Sequence, residues 1–176
     1  QTIRSCPGFM VNSYSPILAK LNGKEIVIAP EEGSMLFIAD WKNFAIPEDV
    51  MIVGIENMEN FRLIRMQKYL FPENKRILFV SRYPQSTDLR KWLLSIPNEY
   101  IHFGDFDIAG IRIYETEYYN YLGSRASFII PADIEARLRG GSSKRYNDQD
   151  RKFKNYRPKD KRVLLLFEMI NRYHKG

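Results

Sequence analysis

Tyr100–Glu115 reads YIHFGDFDIAGIRIYE. Tyr100, Ile101 and Phe103 form a short run of strand-favouring residues that ends at Gly104. Two aspartates follow one residue apart, Asp105 and Asp107. Past Gly110, Ile111, Tyr114, Tyr118 and Tyr121 recur at spacings of three and four, which predicts a helix with one packed face. The order is therefore strand, acidic loop, helix. Residues i and i+2 of an extended chain point to the same side, so both carboxylates can face one point. They repel each other, and burying either without a partner is costly. A positive group is expected to sit between them, and no adjacent residue supplies one.

The same alternation extends in both directions. Met51–Glu56 (MIVGIE) reads as a strand, and residues 57–70 carry Phe61, Ile64 and Leu70 on a helical spacing. Arg76–Ser81 (RILFVS) is the second strand, and Ser86–Leu94 a helix that Ser86 or Thr87 can cap. Ser127–Pro131 (SFIIP) is the fourth strand, after YIHFGD. Strands alternating with helices predict an α/β fold: a mostly parallel, four-stranded sheet with flanking helices. A small β-hairpin precedes it, with Asn22-Gly23 between ILAKL and KEIVIA, and SMLFIAD is a further apolar run. The reading divides the chain into a β-rich lead-in (1–47), an α/β core (48–131), and a basic segment with a C-terminal helix (132–176). GGSSKRYNDQD (140–150) is the candidate mobile loop, and Val163–Tyr173 (VLLLFEMINRY) the closing helix.

Composition narrows the class. The chain has 176 residues, enough for one core, with the 44% hydrophobic and 27% charged content of an ordinary globular protein. It contains no run of 18 apolar residues, so no membrane span is expected. QTIRSCPGFM lacks the order of a signal peptide, and Cys6 is the sole cysteine, so a cytoplasmic location is the expectation. The absence of an initiator Met suggests a fragment of a longer protein. Net charge is +6, and its location matters more than its size. Lys144–Arg162 holds nine Lys or Arg against three Asp, leaving 18 of each sign elsewhere. So concentrated a charge points to a polyanion partner, with a solvated loop as the alternative.

Ligands of open parallel sheets bind beyond the carboxyl ends of strands. Glu56 stands at the end of the first strand, Asp105 and Asp107 at the end of the third. Three oxygen donors around a wet pocket suit Mg²⁺ or Mn²⁺, which keep waters and take phosphate oxygens. Each residue also has a plainer reading: Asp107 as the cap of the following helix, Glu56 as a solvated strand end.

IVGIENMENF, followed about fifty positions later by YIHFGDFDIAGIRI, resembles a Toprim domain. The wording ENxENF and FGDxDxxGxRI is most similar to the nuclease subunit of the Wadjet plasmid-defence systems (the JetD family), and more distantly to the A subunit of topoisomerase VI. The resemblance is clearest over Val50–Tyr121. It implies a divalent-metal-dependent DNA endonuclease module that hydrolyses phosphodiesters in plasmid or phage defence. Glu56 would act in acid–base chemistry or bind metal, Asp105 and Asp107 would bind Mg²⁺ or Mn²⁺, and Gly104 and Gly110 would form the turn. Arg112 would contact phosphate or an acidic side chain. DNA, a structural-maintenance-type ATPase complex and a homodimeric arrangement are the partners it implies. Family members carry a DNA-binding region upstream, and Wadjet-type nucleases a further acidic motif after the last helix. The chain is accordingly expected to hold an incomplete part of such a site.

The remaining candidates follow from chemistry. Arg82, after the second strand, can reach phosphate or make a surface ion pair. Lys144, Arg145, Arg151, Lys152 and Lys154 are the candidate DNA contacts of the basic segment. Tyr146, Phe153 and Tyr156, interleaved with them, can stack on bases. His102 reads as sheet-packed, and Tyr114, Tyr118 and Tyr121 as core. The rival function is a module that binds nucleic acid or a partner without cutting. The basic segment alone would serve that role, whereas cutting needs the metal site.

Overall fold

The computed structural model describes residues 6–83 and 87–176. Strands are β1 (Phe9–Asn12), β2 (Ile17–Leu21), β3 (Lys24–Ile28), β4 (Leu36–Ile38), β5 (Phe44–Ala45), β6 (Met51–Ile55), β7 (Ile77–Ser81), β8 (Tyr100–Phe103) and β9 (Ala126–Phe128). Helices are α1 (Met58–Arg62), α2 (Asp88–Leu94), α3 (Ile108–Tyr114), α4 (Asn120–Leu122), α5 (Ile134–Arg139), α6 (Ser143–Lys152) and α7 (Leu164–Tyr173). Among the described residues no helix is long and apolar enough to cross a membrane. The chain divides into two units, Gln1–Ile101 and His102–Gly176, with the border inside β8.

In the first unit the Asn22-Gly23 turn forms as expected. Both residues have positive φ, 51° and 76°, the geometry that matches the twist of a two-residue hairpin. It joins β2 to β3, and β5 completes a separate antiparallel sheet in the order β3-β2-β5. The main sheet of this unit runs β4-β1-β7-β6-β8. β6 and β7 pair in parallel, Ile52 opposite Leu78 and Gly54 opposite Val80. Every residue of β7 is buried, as are Ile52–Ile55, so these strands read as unbroken apolar runs rather than alternating ones.

Beyond the four expected strands, β1 and β4 from the lead-in join the main sheet, making it mixed. β1 lies antiparallel to both β7 (Val11 opposite Val80) and β4 (Phe9 opposite Ile38). An uncovered β7 edge would leave a row of backbone donors and acceptors unpaired. FMVN is too short and irregular to announce that role in sequence. Phe9, Phe44 and Trp92 stack beneath it with ring centroids 5.1–6.4 Å apart, and Trp92 Nε1 donates to Phe44 O at 2.9 Å.

The helices of this unit depart locally from the sequence periodicity. Asn57 caps α1, its Oδ1 accepting from Glu59 N and Asn60 N at 2.9 and 3.2 Å. After α1 the chain tightens into a 3₁₀ segment, Ile64–Leu70, rather than continuing one helix to Leu70. Thr87 occupies the cap of α2 without a side-chain hydrogen bond, and Ser86 lies outside the described residues.

In the second unit, β9 follows the latter half of β8, with Ile129 N donating to His102 O at 2.9 Å. His102 is buried against Tyr118, Phe128 and Tyr114, at ring separations of 5.1–5.9 Å. The helix after β8 is interrupted by a π turn at Glu115–Tyr119. A π turn holds more residues than an α turn and rotates the next residues around the axis. Tyr114 and Tyr118 accordingly stay buried, but Tyr121 is half exposed and Leu122 takes its place. Tyr121 therefore lies at the surface and not, as its spacing suggested, in the core.

The expected mobile loop at 140–150 is largely helix α6, capped by Ser142, whose Oγ accepts from Arg145 N at 3.2 Å. Only Tyr146 of this helix is buried, so no apolar stripe marked it in the sequence. Contacts to α3 and α7 hold it instead. Tyr146 donates to Asn171 Oδ1 at 3.1 Å and meets His174 edge-on, while Gln149 is tied to the start of α3.

Candidate functional site

Asp105 and Asp107 lie in the loop between β8 and α3. Their environments differ. Asp107 is buried (3% exposed) and caps α3, Oδ1 accepting from Gly110 N at 2.8 Å. Its Oδ2 accepts from Gln149 Nε2 at 2.9 Å, and the Gln149 carbonyl in turn accepts from Ala109 N at 3.1 Å. The carboxylate is thus aimed by two neutral donors. Asp105 is half exposed, with 53% of its side chain open.

The positive group between them is Arg145. Its Nη1 lies 3.5 Å from Asp107 Oδ2 and 3.7 Å from Asp105 Oδ2. It comes from the first turn of α6, forty residues beyond Asp105, which explains why no neighbour in sequence supplied it. Arg145 and Gln149 are four apart and so share one face of α6, the face turned to the acidic loop. Gly110 makes the loop possible. A Cβ there would stand 2.1 Å from Asp105 O, closer than atoms can approach. Gly104, at the strand's end, is buried.

Glu56 is half-buried directly after β6 in the first unit, as is Arg82 after β7. Among the described residues no three His, Cys, Asp or Glu side chains group as a metal cluster. As donors, Asp105 and Asp107 suit a hard cation that keeps most of its waters, provided Arg145 yields its place. Arg112 lies over the Phe153 ring at 4.7 Å, and Lys152 over the same ring at 5.2 Å. Arg151 pairs with Asp148 at 2.8 Å on the surface of α6, and Lys144 and Lys154 are exposed. Base stacking by the interleaved aromatics is not supported. Tyr146 is buried, the Phe153 ring carries two cations, and Tyr156 packs edge-on against Phe167.

A second polar cluster escaped the sequence reading. Glu115, in the π turn, is buried, and its Oε1 accepts from the backbone N–H groups of Lys159 and Asp160 at 2.6 and 2.7 Å. Its Oε2 accepts from Tyr156 Oη at 2.7 Å. Asp160, also buried, accepts from Tyr114 Oη at 2.7 Å and pairs with Arg162 at 2.8 Å. Arg162 further donates to Ala126 O. Burial first, and then the bonds to the two carboxylates, push the Tyr114 and Tyr156 hydroxyls well above the ordinary tyrosine range, so both remain donors. These contacts clamp the end of the basic segment onto α3. They span about forty residues, and no local spacing signals them.

Burial acts to raise the Asp160 carboxyl, but the bonds from Arg162 and Tyr114 outweigh it and hold it below its usual range. A depressed folded value stabilises the protein above the unfolded pKa of about 4, and that contribution fades as pH falls through the folded value. Asp160→Asn should therefore lower stability at neutral pH and flatten the loss of stability below about pH 4. Urea midpoints measured from pH 7 to pH 2.5 check this; parallel curves for variant and parent would contradict it. No family model matches this chain, and no curated protein matches it.

Proposed function

We propose that the chain is a divalent-metal-dependent module for DNA strand cleavage, built on a Toprim-like sheet. The observation that carries the reading is the pair of strand-end carboxylates, Asp105 and Asp107, sharing one loosely held cation beside a basic helix. The sequence resemblance over Val50–Tyr121 supports it independently and implies a role for Glu56. A bound Mg²⁺ or Mn²⁺ would polarise the scissile phosphate and lower the pKa of the attacking water. Asp105 and Asp107 would hold that cation, with Gln149 and Gly110 N fixing the direction of Asp107. By the resemblance, Glu56 would act in acid–base chemistry or bind metal. Arg112, Lys144, Arg151, Lys152 and Lys154 track the phosphates, with Arg82 as a further contact. The resemblance also supplies the ATPase complex as an assembly partner and the homodimer as an arrangement. Nicking of supercoiled plasmid in Mg²⁺, abolished by EDTA, is the direct test.

A second reading, a module that binds DNA without cutting, is favoured by Arg145 lying between the carboxylates and by the absence of a three-acid cluster among the described residues. It predicts binding with no metal-dependent nicking. Both readings share one expectation. Neutralising Arg151, Lys152 and Lys154 together should weaken DNA binding at all sequences alike. It should also make the slope of log affinity against log salt shallower by about one per lost phosphate contact. Arg151 is partly committed to Asp148, so a change nearer two than three is expected. An unchanged slope, read by fluorescence anisotropy between 50 and 200 mM salt, would make the segment a merely solvated surface.

A further inference from the structure

Resting on the metal-dependent reading above, we infer that Arg145 is a tethered counter-ion that holds the Asp105–Asp107 pair until a divalent cation replaces it. The displaced guanidinium then becomes a phosphate contact. Its separations from the two carboxylates, 3.5 and 3.7 Å, are those of a loose ion pair. Arg162–Asp160 and Arg151–Asp148 in the same unit are both closed to 2.8 Å, the length of a charge-assisted hydrogen bond. Arg145 is itself half exposed (53%), so its guanidinium can leave for solvent, although Asp107 beneath it is buried.

The groups around it stay in place when it moves. Asp107 keeps Gly110 N and Gln149 as donors, so the carboxylate remains aimed. Helix α6 keeps its own anchors: Tyr146 on Asn171, Gln149 on Ala109, and the Ser142 cap. Only a long side chain has to swing. It already borders an open groove of about 440 Å³, lined also by Lys144, Lys152 and Asp148, so positive charge exceeds negative where a phosphate backbone would lie. Metal and DNA thereby become coupled: a cation at the aspartates frees a phosphate contact, and DNA holding Arg145 opens the aspartates. Such coupling is reciprocal.

The test uses the whole chain with Mn²⁺ as the metal probe, followed by water-proton relaxation, and a labelled DNA duplex. Arg145→Gln should tighten Mn²⁺ binding by about fivefold or more and reduce the gain in DNA affinity that Mn²⁺ gives the parent. Lys144→Gln removes the same charge from the same helix turn and should change Mn²⁺ affinity by less than about twofold. If both variants tighten Mn²⁺ equally, net charge is the cause and the counter-ion role is overturned. If Arg145→Gln leaves Mn²⁺ affinity unchanged while Asp105→Asn abolishes binding, the inference fails and the metal reading stands. If the parent shows no Mn²⁺ binding that Asp105→Asn removes, the metal reading itself fails, and the inference with it.

Discussion

Asp105→Asn and Asp107→Asn should each abolish Mg²⁺-dependent nicking, by about a hundredfold or more, while DNA binding is kept or tightened. The size follows from losing a cation worth several kcal/mol at the transition state. The direction of the binding change follows from charge: a carboxylate beside a phosphate repels it, and an amide does not. Asn is the informative replacement at 107 because it caps a helix as well as Asp does, so α3 and the Gly110 contact survive. Asp107→Ala, by contrast, should cost about 1 kcal/mol of stability through the lost cap and obscure the result. Measuring plasmid nicking and duplex binding on the same preparations separates the two functional readings. Retained cutting by both amide variants would rule out hydrolysis at this pair.

Glu115→Ala should destabilise the protein by about 3–5 kcal/mol, the largest effect expected of any single substitution outside the apolar core. The side chain is a buried acceptor for two backbone N–H groups and one tyrosine hydroxyl, and its removal strands all three. Tyr156→Phe removes only one partner and leaves the carboxylate its two backbone donors, so a cost of about 1 kcal/mol is expected. Urea unfolding of the two variants gives the comparison. Because the clamp fixes the end of the basic segment, Glu115→Ala should also weaken DNA binding, although Glu115 is itself buried. Equal costs for the two variants would mean that the backbone at Lys159 and Asp160 finds other acceptors.

The sequence alone was enough for the features that depend on local pattern. Asn22-Gly23 determines the hairpin because both positions need positive φ. The β6 and β7 runs are legible because strands covered on both faces are apolar throughout. The strand–acidic loop–helix order at Tyr100–Glu115 is legible because the period changes from two to 3.6 within one stretch. Even the demand for a cation between Asp105 and Asp107 is a sequence-level conclusion, since like charges on the same side of one strand need a partner.

Tertiary structure decided what depends on residues far apart. The cation is Arg145, supplied by a helix too polar to show a periodicity, and held by Tyr146 and Gln149 rather than by an apolar face. The edge of β7 is closed by β1, four residues whose strand character comes from pairing, not propensity. Tyr121 turns outward because a single π turn shifts the phase of its helix, a change worth one residue that no spacing rule registers. Glu115 meets Tyr156 and the backbone at Lys159 and Asp160 only because the chain folds back over about forty residues. Local spacing fixes which way a side chain points, but the partner it meets is chosen by how separate segments pack.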